Sequence, residues 1–517
     1  MPADPREWLP QRHLAWSVLE QAGLMDLSAF ENAYRVDGQG GKAYHPAMMC
    51  GLLLYCYCKG LRSSREIEMA TFDDVGARVI CGNLHPDHAT VAHFVRRHER
   101  AICGLLPESV RACAREGLVS LEVVAGDGTK LKASASMAAN VTAEQLEAQI
   151  AELEELIESG VRLWVAEHLA VDDADATAVP RRGPGGEGPA AGAGRGGTKP
   201  PKRAAMLLER RKAARGQLAA RHAGREQPKL EARAAECAGR AQRKQDAADR
   251  AWQAAAGKLA AWEAKAAAGA PPRGRKPWRP EADRDVIRTR AQADKARAAA
   301  QAAAIAAACP VPAAGVKVNT TDWTSRVMPL KKGGFDQLVN AQALATAGKQ
   351  VILAVLRHDS PDDTGALHPL LARARAVLDA AGITGPIGKA AFDAGYASDA
   401  NFTAAAQAEL YVALARESVQ TGRSDGGQPL SSLPSWQAMA ARLGTPEGKA
   451  VYKKRAATIE PVFAQLTGRL GRDLHYRDDM VDAELSLWAA SHNLLKAIKA
   501  ATARQARQVR AVLAPAV

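Results

Sequence analysis

The chain has 517 residues, enough for two to four domains at roughly 150 residues each. Its formal net charge of +13 and pI of about 9.4 favour a polyanionic partner, nucleic acid before an anionic membrane surface. A coding bias toward Ala, Gly and Arg is the alternative source of that charge. Export is not expected, because MPADPREWLPQRHLAW lacks the basic-then-apolar order of a signal peptide. The longest strongly apolar run, MMCGLLLYCYC at 48–58, is too short to cross a bilayer, so no membrane association and a cytoplasmic location are expected. The eight cysteines show no C-x-x-C spacing and read as reduced, buried small hydrophobes.

Residues 45–105 read as a compact set of short helices. Pro46 suits a first helical turn, Lys59-Gly60 is a stop, and Ser63-Ser64-Arg65-Glu66 has the form of a capping box. Asp87 precedes HATVAHFVRRHERAICGLL, in which Val91, Phe94, Val95, His98 and Ile102 share one face. Arg96, Arg97 and Arg100 lie on that last helix. They suit an all-α DNA-binding domain over 1–115, and a solvated charged face is the other reading.

From 119 the pattern changes to VSLEVVAGDGTKLKASAS, a strand through Val123 and Val124 that the sequence ends at Asp127. Thr142 to Gln145 then resembles a helix start, and Leu146, Ile150, Leu153, Ile157 and Val161 keep a spacing of three or four. A Pro/Gly-rich linker at 180–202 and an Ala/Arg/Lys/Glu/Gln-rich stretch to 308 complete a helical, partly disordered insertion over 138–310. Strand patterns return at RVMPL, FDQLVNAQALA and QVILAVLRHD. A helix at 365–380, a strand into Asp393, a short helix and a strand at 409–414 follow. Segments 116–137 and 311–505 together read as one α/β domain with a mixed sheet flanked by helices.

Asp127 and Asp393 both close apolar runs and are both followed closely by Gly, at 128 and 395. If their strands are neighbours, two carboxylates stand side by side, a costly pairing that a divalent cation resolves. Oxygen ligands suit Mg²⁺ or Mn²⁺, and a metal pair could activate water at a phosphodiester. Glu460 is a candidate third acid. On a helix, Ile459, Val462, Phe463, Leu466 and Leu470 form a stripe of about 100° to 120° with Glu460 at its rim. Pro461 places a helix start near Glu460 or a kink there. From the residues alone, an Asp-Gly after a strand is more often a turn, and a helix-rim Glu is usually just solvated. Asp322, Asp359, Asp362, Asp363 and Glu484 read as turn, cap or supporting residues, and His492 and Asn493 as satisfied core groups.

Taken in order, these segments resemble the DDE transposases of bacterial insertion sequences. HPAMMCGLLLYCYCKGLRSSREIE with PDHATVAHF looks like the family's N-terminal domain, and AGDGTKLKASAS like its first-aspartate motif. TDWTSRVM with GGFDQLVNAQ resembles the segment after the family's insertion, and FDAGYASDANF the second-aspartate motif. YKKRAATIEPVFAQLTGRLG, HYRDDM and ASHNLLK resemble the C-terminal Tyr, Arg, Glu, Lys signature. The resemblance implies an RNase H-like catalytic domain in which Asp127, Asp393 and Glu460 hold two Mg²⁺. The expected reaction is cleavage of double-stranded DNA at the element's terminal inverted repeats and transfer of the 3′-hydroxyl into target DNA. A homodimer or higher oligomer associated with the nucleoid would pair the two ends. Tyr452 and Arg455 match the signature's DNA-contacting positions. The signature lysine falls on Thr467, with Arg469 as a possible substitute, and Trp323 stands where the family usually has proline. A DNA-binding protein without catalysis and an RNase H-like nuclease without strand transfer are the alternative readings.

Overall fold

The computed structural model describes residues 5–34, 43–176, 202–268, 275–308, 317–330, 333–405, 407–414 and 433–513. The linker expected at 180–202 lies outside them except for its last residue, as does the side chain of Val161. The chain divides into two compact units, Met1–Ala139 with Thr321–Val517, and Asn140–Thr320.

The first unit opens with helices α1 (Leu14–Gly23), α2 (Ser28–Glu31), α3 (Pro46–Lys59), α4 (Ser64–Asp73), α5 (Val75–Ile80), α6 (His88–Arg97), α7 (Glu99–Cys103) and α8 (Leu105–Arg115). α3 is apolar all round and correspondingly buried. It starts at Pro46 and stops at Gly60, whose φ of 88° is open to glycine. The expected capping box is present, with Ser63 Oγ accepting from Glu66 N and Glu66 accepting from Ser63 N. Val91, Phe94, Val95, His98 and Ile102 are all buried, although His98 breaks their helix into α6 and α7. Strand β1 (Val123–Lys132) follows.

The second unit holds β2 (Asn140–Thr142), α9 (Ala143–Ala176), α10 (Lys202–Ala267), α11 (Arg284–Ala308) and β3 (Lys317–Asn319), with β2 antiparallel to β3. Thr142 and Gln145 exchange backbone-to-side-chain bonds of 3.4 and 3.0 Å, the expected helix start. α10 and α11 form an antiparallel hairpin. Small side chains such as Ala248, Ala255 and Ala293 fill its seam, and Arg290 lies 4.2 Å over the Trp252 ring.

The first unit resumes with β4 (Arg326–Pro329), β5 (Phe335–Thr346), β6 (Ile352–His358), α12 (Leu367–Ala380), β7 (Lys389–Phe392), α13 (Asp399–Thr403) and β8 (Glu409–Val412). It ends with α14 (Pro434–Gly444), α15 (Pro446–Leu470) and α16 (Met480–Leu513). Its mixed sheet runs β4-β5-β1-β7-β8, and β6 pairs with β5 beyond β4. β1 is antiparallel to β5 and parallel to β7, and β8 is parallel to β7. α12 packs on β5 and β6, while α15 crosses β1, β5, β7 and β8.

The helical N-terminal region and the sheet share this unit because α16 joins them. Cys58 Sγ lies 3.6 Å from Ser491 O, and Cys113 Sγ lies 3.3 Å from Asn493 O. Among the described residues seven cysteines are free and five of them are buried, the environment expected for reduced thiols.

Two sequence expectations change. β1 does not end at Asp127 but continues to Lys132, because β5 offers partners as far as Leu338. Pro461 does not start a helix: α15 begins at Pro446, capped by Thr445 Oγ1 on Gly448 N at 2.9 Å, and carries Pro461 in its interior. Pro461 has no N–H for the carbonyl of Ala457 four residues earlier. Gln350 Nε2 donates to that carbonyl instead, at 3.1 Å.

Candidate functional site

The parallel register of β1 and β7 brings two acids together. Val123, Val124 and Ala125 pair with Lys389, Ala390 and Ala391, an offset of 266 residues (389 − 123). Asp127 and Asp393 are also 266 apart (393 − 127), so each stands two residues beyond the last pair. Side chains two apart on a strand share a face, so the carboxylates occupy matched places at the end of the parallel ladder. Asp127 lies within a strand and Asp393 just after one, yet the register makes them neighbours.

The glycines around Asp127 follow from close approach. A Cβ on Gly126 would lie 2.2 Å from Phe392 Cε1, and one on Gly128 would lie 2.4 Å from Gln342 Nε2 and 2.9 Å from Asp363 Oδ1. Asp127 points to the α15 side of β1. On the other side, the space left by Gly128 is filled by Gln342 and Asp363.

Asp363 is the residue that the sequence undervalued. Its Oδ1 accepts from Asn340 Nδ2 at 2.9 Å and Gln342 Nε2 at 2.7 Å, and its Oδ2 lies 3.3 Å from where a Gly395 Cβ would sit, beside Asp393 Oδ1 at 3.1 Å. Nothing in the spacing of SPDDTG distinguishes it from Asp362, which bonds Ser360 and Thr364 in a local turn as expected. Buried Tyr396, in the loop after β7, donates to Gln342 Oε1 and completes this support.

The electrostatics follow. Burial first and the Asp393 charge second push the Asp127 carboxyl up to about 7, against the opposing Gly128 N–H at 2.8 Å and Arg455. Asp393 caps the short turn after β7 by accepting from Gly395 N at 2.9 Å. Arg455, five residues before Glu460 on α15, lies 3.5 Å from Asp127 Oδ2 and 3.8 Å from Glu460 Oε1. Its side chain is 5% exposed while that of Glu460 is 59% exposed, so the guanidinium is fixed between the strand acid and the helix-rim acid. Tyr452 is stacked beneath it, with the Arg455 guanidinium carbon 5.8 Å from the ring centre.

The other expected site residues are distributed as follows. Thr467 Oγ1 bonds Phe463 O at 2.8 Å and lines a small apolar void with Thr129, Leu131 and Trp488. Arg469 is turned away from the acids and donates to Ser491 Oγ at 3.1 Å, so it does not replace the missing lysine. Its place near the end of α15 carries it round to the α16 side. Arg96, Arg97 and Arg100 are exposed on α6 and α7, and Arg97 lies over Tyr34 at 5.4 Å. Trp323 is half-buried, with its backbone N–H on Asp478 Oδ1 at 3.3 Å. Asp322 is fully buried and caps its own turn through Thr324, Asp359 pairs with Arg326 at 3.6 Å, and Glu484 accepts from His475 and Tyr476 N–H. His492 bonds Gln350 O at 3.0 Å and Asn493 bonds Ile352 O at 2.8 Å, both as core groups.

Among the described residues, no group of three or more His, Cys, Asp or Glu side chains is gathered closely enough to hold a metal, and no helix is long and apolar enough to cross a membrane. The donor set nevertheless suits a hard divalent cation: adjacent carboxylates, one held near 7 by its neighbour and by burial, with an arginine as the nearby positive charge. No curated protein and no solved structure matches the chain. Residues 4–97 match the family described as Transposase domain (DUF772), which covers α1 to α6 and not the acid-bearing sheet. Residues 4–97 thus carry the domain of that family, which supports a transposase of insertion-sequence type acting on DNA.

Proposed function

We propose that the sheet-borne acids form the phosphoryl-transfer centre of a DDE transposase with an RNase H-like catalytic domain. In this reading the protein cleaves DNA at the element's ends and joins the freed 3′-hydroxyl to target DNA. The observation that carries it is the shared offset of 266 residues, which sets Asp127 beside Asp393 at the end of one parallel ladder.

Asp127 and Asp393 would hold Mg²⁺ or Mn²⁺ from the end of the parallel β1–β7 ladder, with Glu460 closing from the α15 rim. A bound divalent ion supplies Lewis acidity at the phosphoryl oxygens and lowers the pKa of water. The protein's own groups do the positioning. The two glycines beside Asp127 let Phe392, Gln342 and Asp363 pack against β1, which fixes the carboxylate's direction. Asn340 and Gln342 hold Asp363 at the back of the site. Arg455 is buried between Asp127 and Glu460 and lies over Tyr452 one helical turn before it, so Tyr452, the more exposed of the two, can meet a DNA phosphate at the mouth of the site. Pairing two DNA ends calls for two such sites, hence a homodimer or larger assembly on DNA.

The test is supercoiled DNA carrying the element's inverted repeats, incubated with Mg²⁺. Wild type should give nicked and joined products, and Asp127→Ala, Asp393→Ala and Glu460→Ala should give neither. Equal cleavage by all four proteins would remove the triad, and cleavage without joined products would leave a nuclease.

A further inference from the structure

Positive charge is concentrated in one segment of the second unit. Residues 202–308 hold 25 Lys and Arg against 11 Asp and Glu, a net +14, whereas the whole chain is +13; everything outside that segment sums to −1. The excess positive charge therefore belongs to the α10–α11 hairpin and not to the transposase domain or the sheet.

On α10 this charge is ordered. With 100° per residue from Arg233, the residues Arg240, Arg243, Arg250, Lys258 and Lys265 fall within an arc of about 100° that includes Arg233 itself. All six side chains are exposed. Among the described residues none of the six is in an ion pair, although Lys212, Arg215, Lys276 and Arg297 of the same unit are. The arc contains one acid, Glu236; Asp246, Asp249 and Glu263 fall elsewhere on the helix. The stripe is 32 residues long (265 − 233), about 48 Å at 1.5 Å per residue. Duplex DNA carries one phosphate per roughly 1.7 Å of axis, so that length faces far more phosphates than six cations need.

We infer that this face of α10 is the principal electrostatic docking surface for duplex DNA, a sequence-independent clamp separate from the acid site. The occupant follows from charge complementarity together with the transposase domain at residues 4–97, which suggests DNA as partner. A helix that leaves six cations without internal partners keeps them for counterion exchange with a polyanion. The inference rests on the DNA-acting reading of the chain but not on the acids being catalytic.

The experiment uses the full chain, random-sequence linear duplex DNA, no Mg²⁺ and a salt titration read by fluorescence anisotropy. Changing Arg233, Arg240, Arg243, Arg250, Lys258 and Lys265 to Gln keeps helix propensity and should flatten the slope of log affinity against log salt by up to about 5. Glu236→Lys should steepen it by about 1, a change of opposite sign that a folding defect would not produce. The titration contains no Mg²⁺ and reads binding alone, so failure of the catalytic reading leaves this result intact. An unchanged slope in the six-fold variant with wild-type circular dichroism and sedimentation overturns the inference. So does tighter binding of single-stranded RNA or anionic vesicles than of duplex DNA, or an unaltered slope in Glu236→Lys.

Discussion

Asp127 and Glu484 are a partly buried and a fully buried carboxylate of one unit, both pushed up to about 7 with burial as the largest cause. Their surroundings differ. Glu484 is fully buried, accepts from the backbone N–H groups of His475 and Tyr476 at 2.9 and 3.0 Å, and has Arg62 at 3.5 Å; it ties the turn before α16 to the loop after α3. Asp127 has the N–H of its own neighbour Gly128, Arg455 at 3.5 Å, and the like charge of Asp393 as the second cause of its shift. Equal proton affinity thus has two origins. Donors hold Glu484 in place whatever binds nearby, whereas an arriving cation relieves the repulsion between Asp127 and Asp393.

The largest expected contrast is in activity. Asp127→Asn keeps the shape and removes the charge, and should slow Mg²⁺-dependent nicking by about 1,000-fold or more, the scale of losing a main charge-stabilising group. Glu484→Gln, folded, should nick within a fewfold of wild type. Nicking by Asp127→Asn at the wild-type rate would erase the distinction.

Stability should reverse the order. Glu484→Ala takes the buried counter-charge from Arg62, which keeps only the Asp473 carbonyl and the Trp488 ring, and leaves two backbone donors unpaired in the interior; it should cost about 3–5 kcal/mol in denaturant unfolding. Asp127→Asn removes like-charge repulsion and should be neutral or stabilising at pH 8. A loss at Asp127 as large as that at Glu484 would make both of them structural.

The pH dependence separates the two acids further. Both have folded pKa values raised above their unfolded ones, from 3.8 and 4.5 to about 7, so the native state holds these protons more tightly. Their contribution is fully present below about pH 4 and is lost as pH rises through about 7, on the order of 3 to 4 kcal/mol for each group. Asp127→Asn and Glu484→Gln should each flatten that fall. Saturating Mg²⁺ should flatten only the Asp127 part, because binding there displaces a proton. Mg²⁺ affinity should weaken about tenfold per pH unit below 7, measured by thermal shift, and a pH-independent affinity would argue against Asp127 as a ligand.

What the sequence disclosed follows the reach of each signal. Local chemistry was legible: Ser63 and Glu66 as a capping box, Pro46 and Gly60 as helix bounds, and the strand and helix alternation after 326. Asp127 and Asp393 were legible as a pair because each closes an apolar run, but the offset that makes them neighbours exists only in the sheet register. β1 ran past its expected end because pairing with β5 outweighs the turn tendency of Asp-Gly. Asp363 looked like any loop acid, since its partners Asn340 and Gln342 lie more than twenty residues away on β5. Arg469 was placed at the site by proximity to Thr467 in sequence, and helical rotation carries it to the α16 side.

Pro461 gives the smallest and most specific test, because it acts on the helix that carries Arg455 and Glu460 to Asp127. The carbonyl of Ala457 lost its helical donor to the proline and is served by Gln350 Nε2 at 3.1 Å. Gln350→Ala should therefore cost about 1 kcal/mol in wild type, the net worth of one hydrogen bond. In a Pro461→Ala background residue 461 regains its N–H and bonds Ala457 O itself, so the same Gln350→Ala change should cost close to nothing. The coupling in this double-mutant cycle, about 1 kcal/mol, measures whether the side chain substitutes for the missing backbone donor. Additive effects would mean that Gln350 stabilises the protein through its other contacts, with Gln465 and Lys496. Coupling would instead make the bond from β5–β6 the device that lets α15 keep a proline directly after Glu460 and still deliver Arg455 and Glu460 to the same side of the sheet.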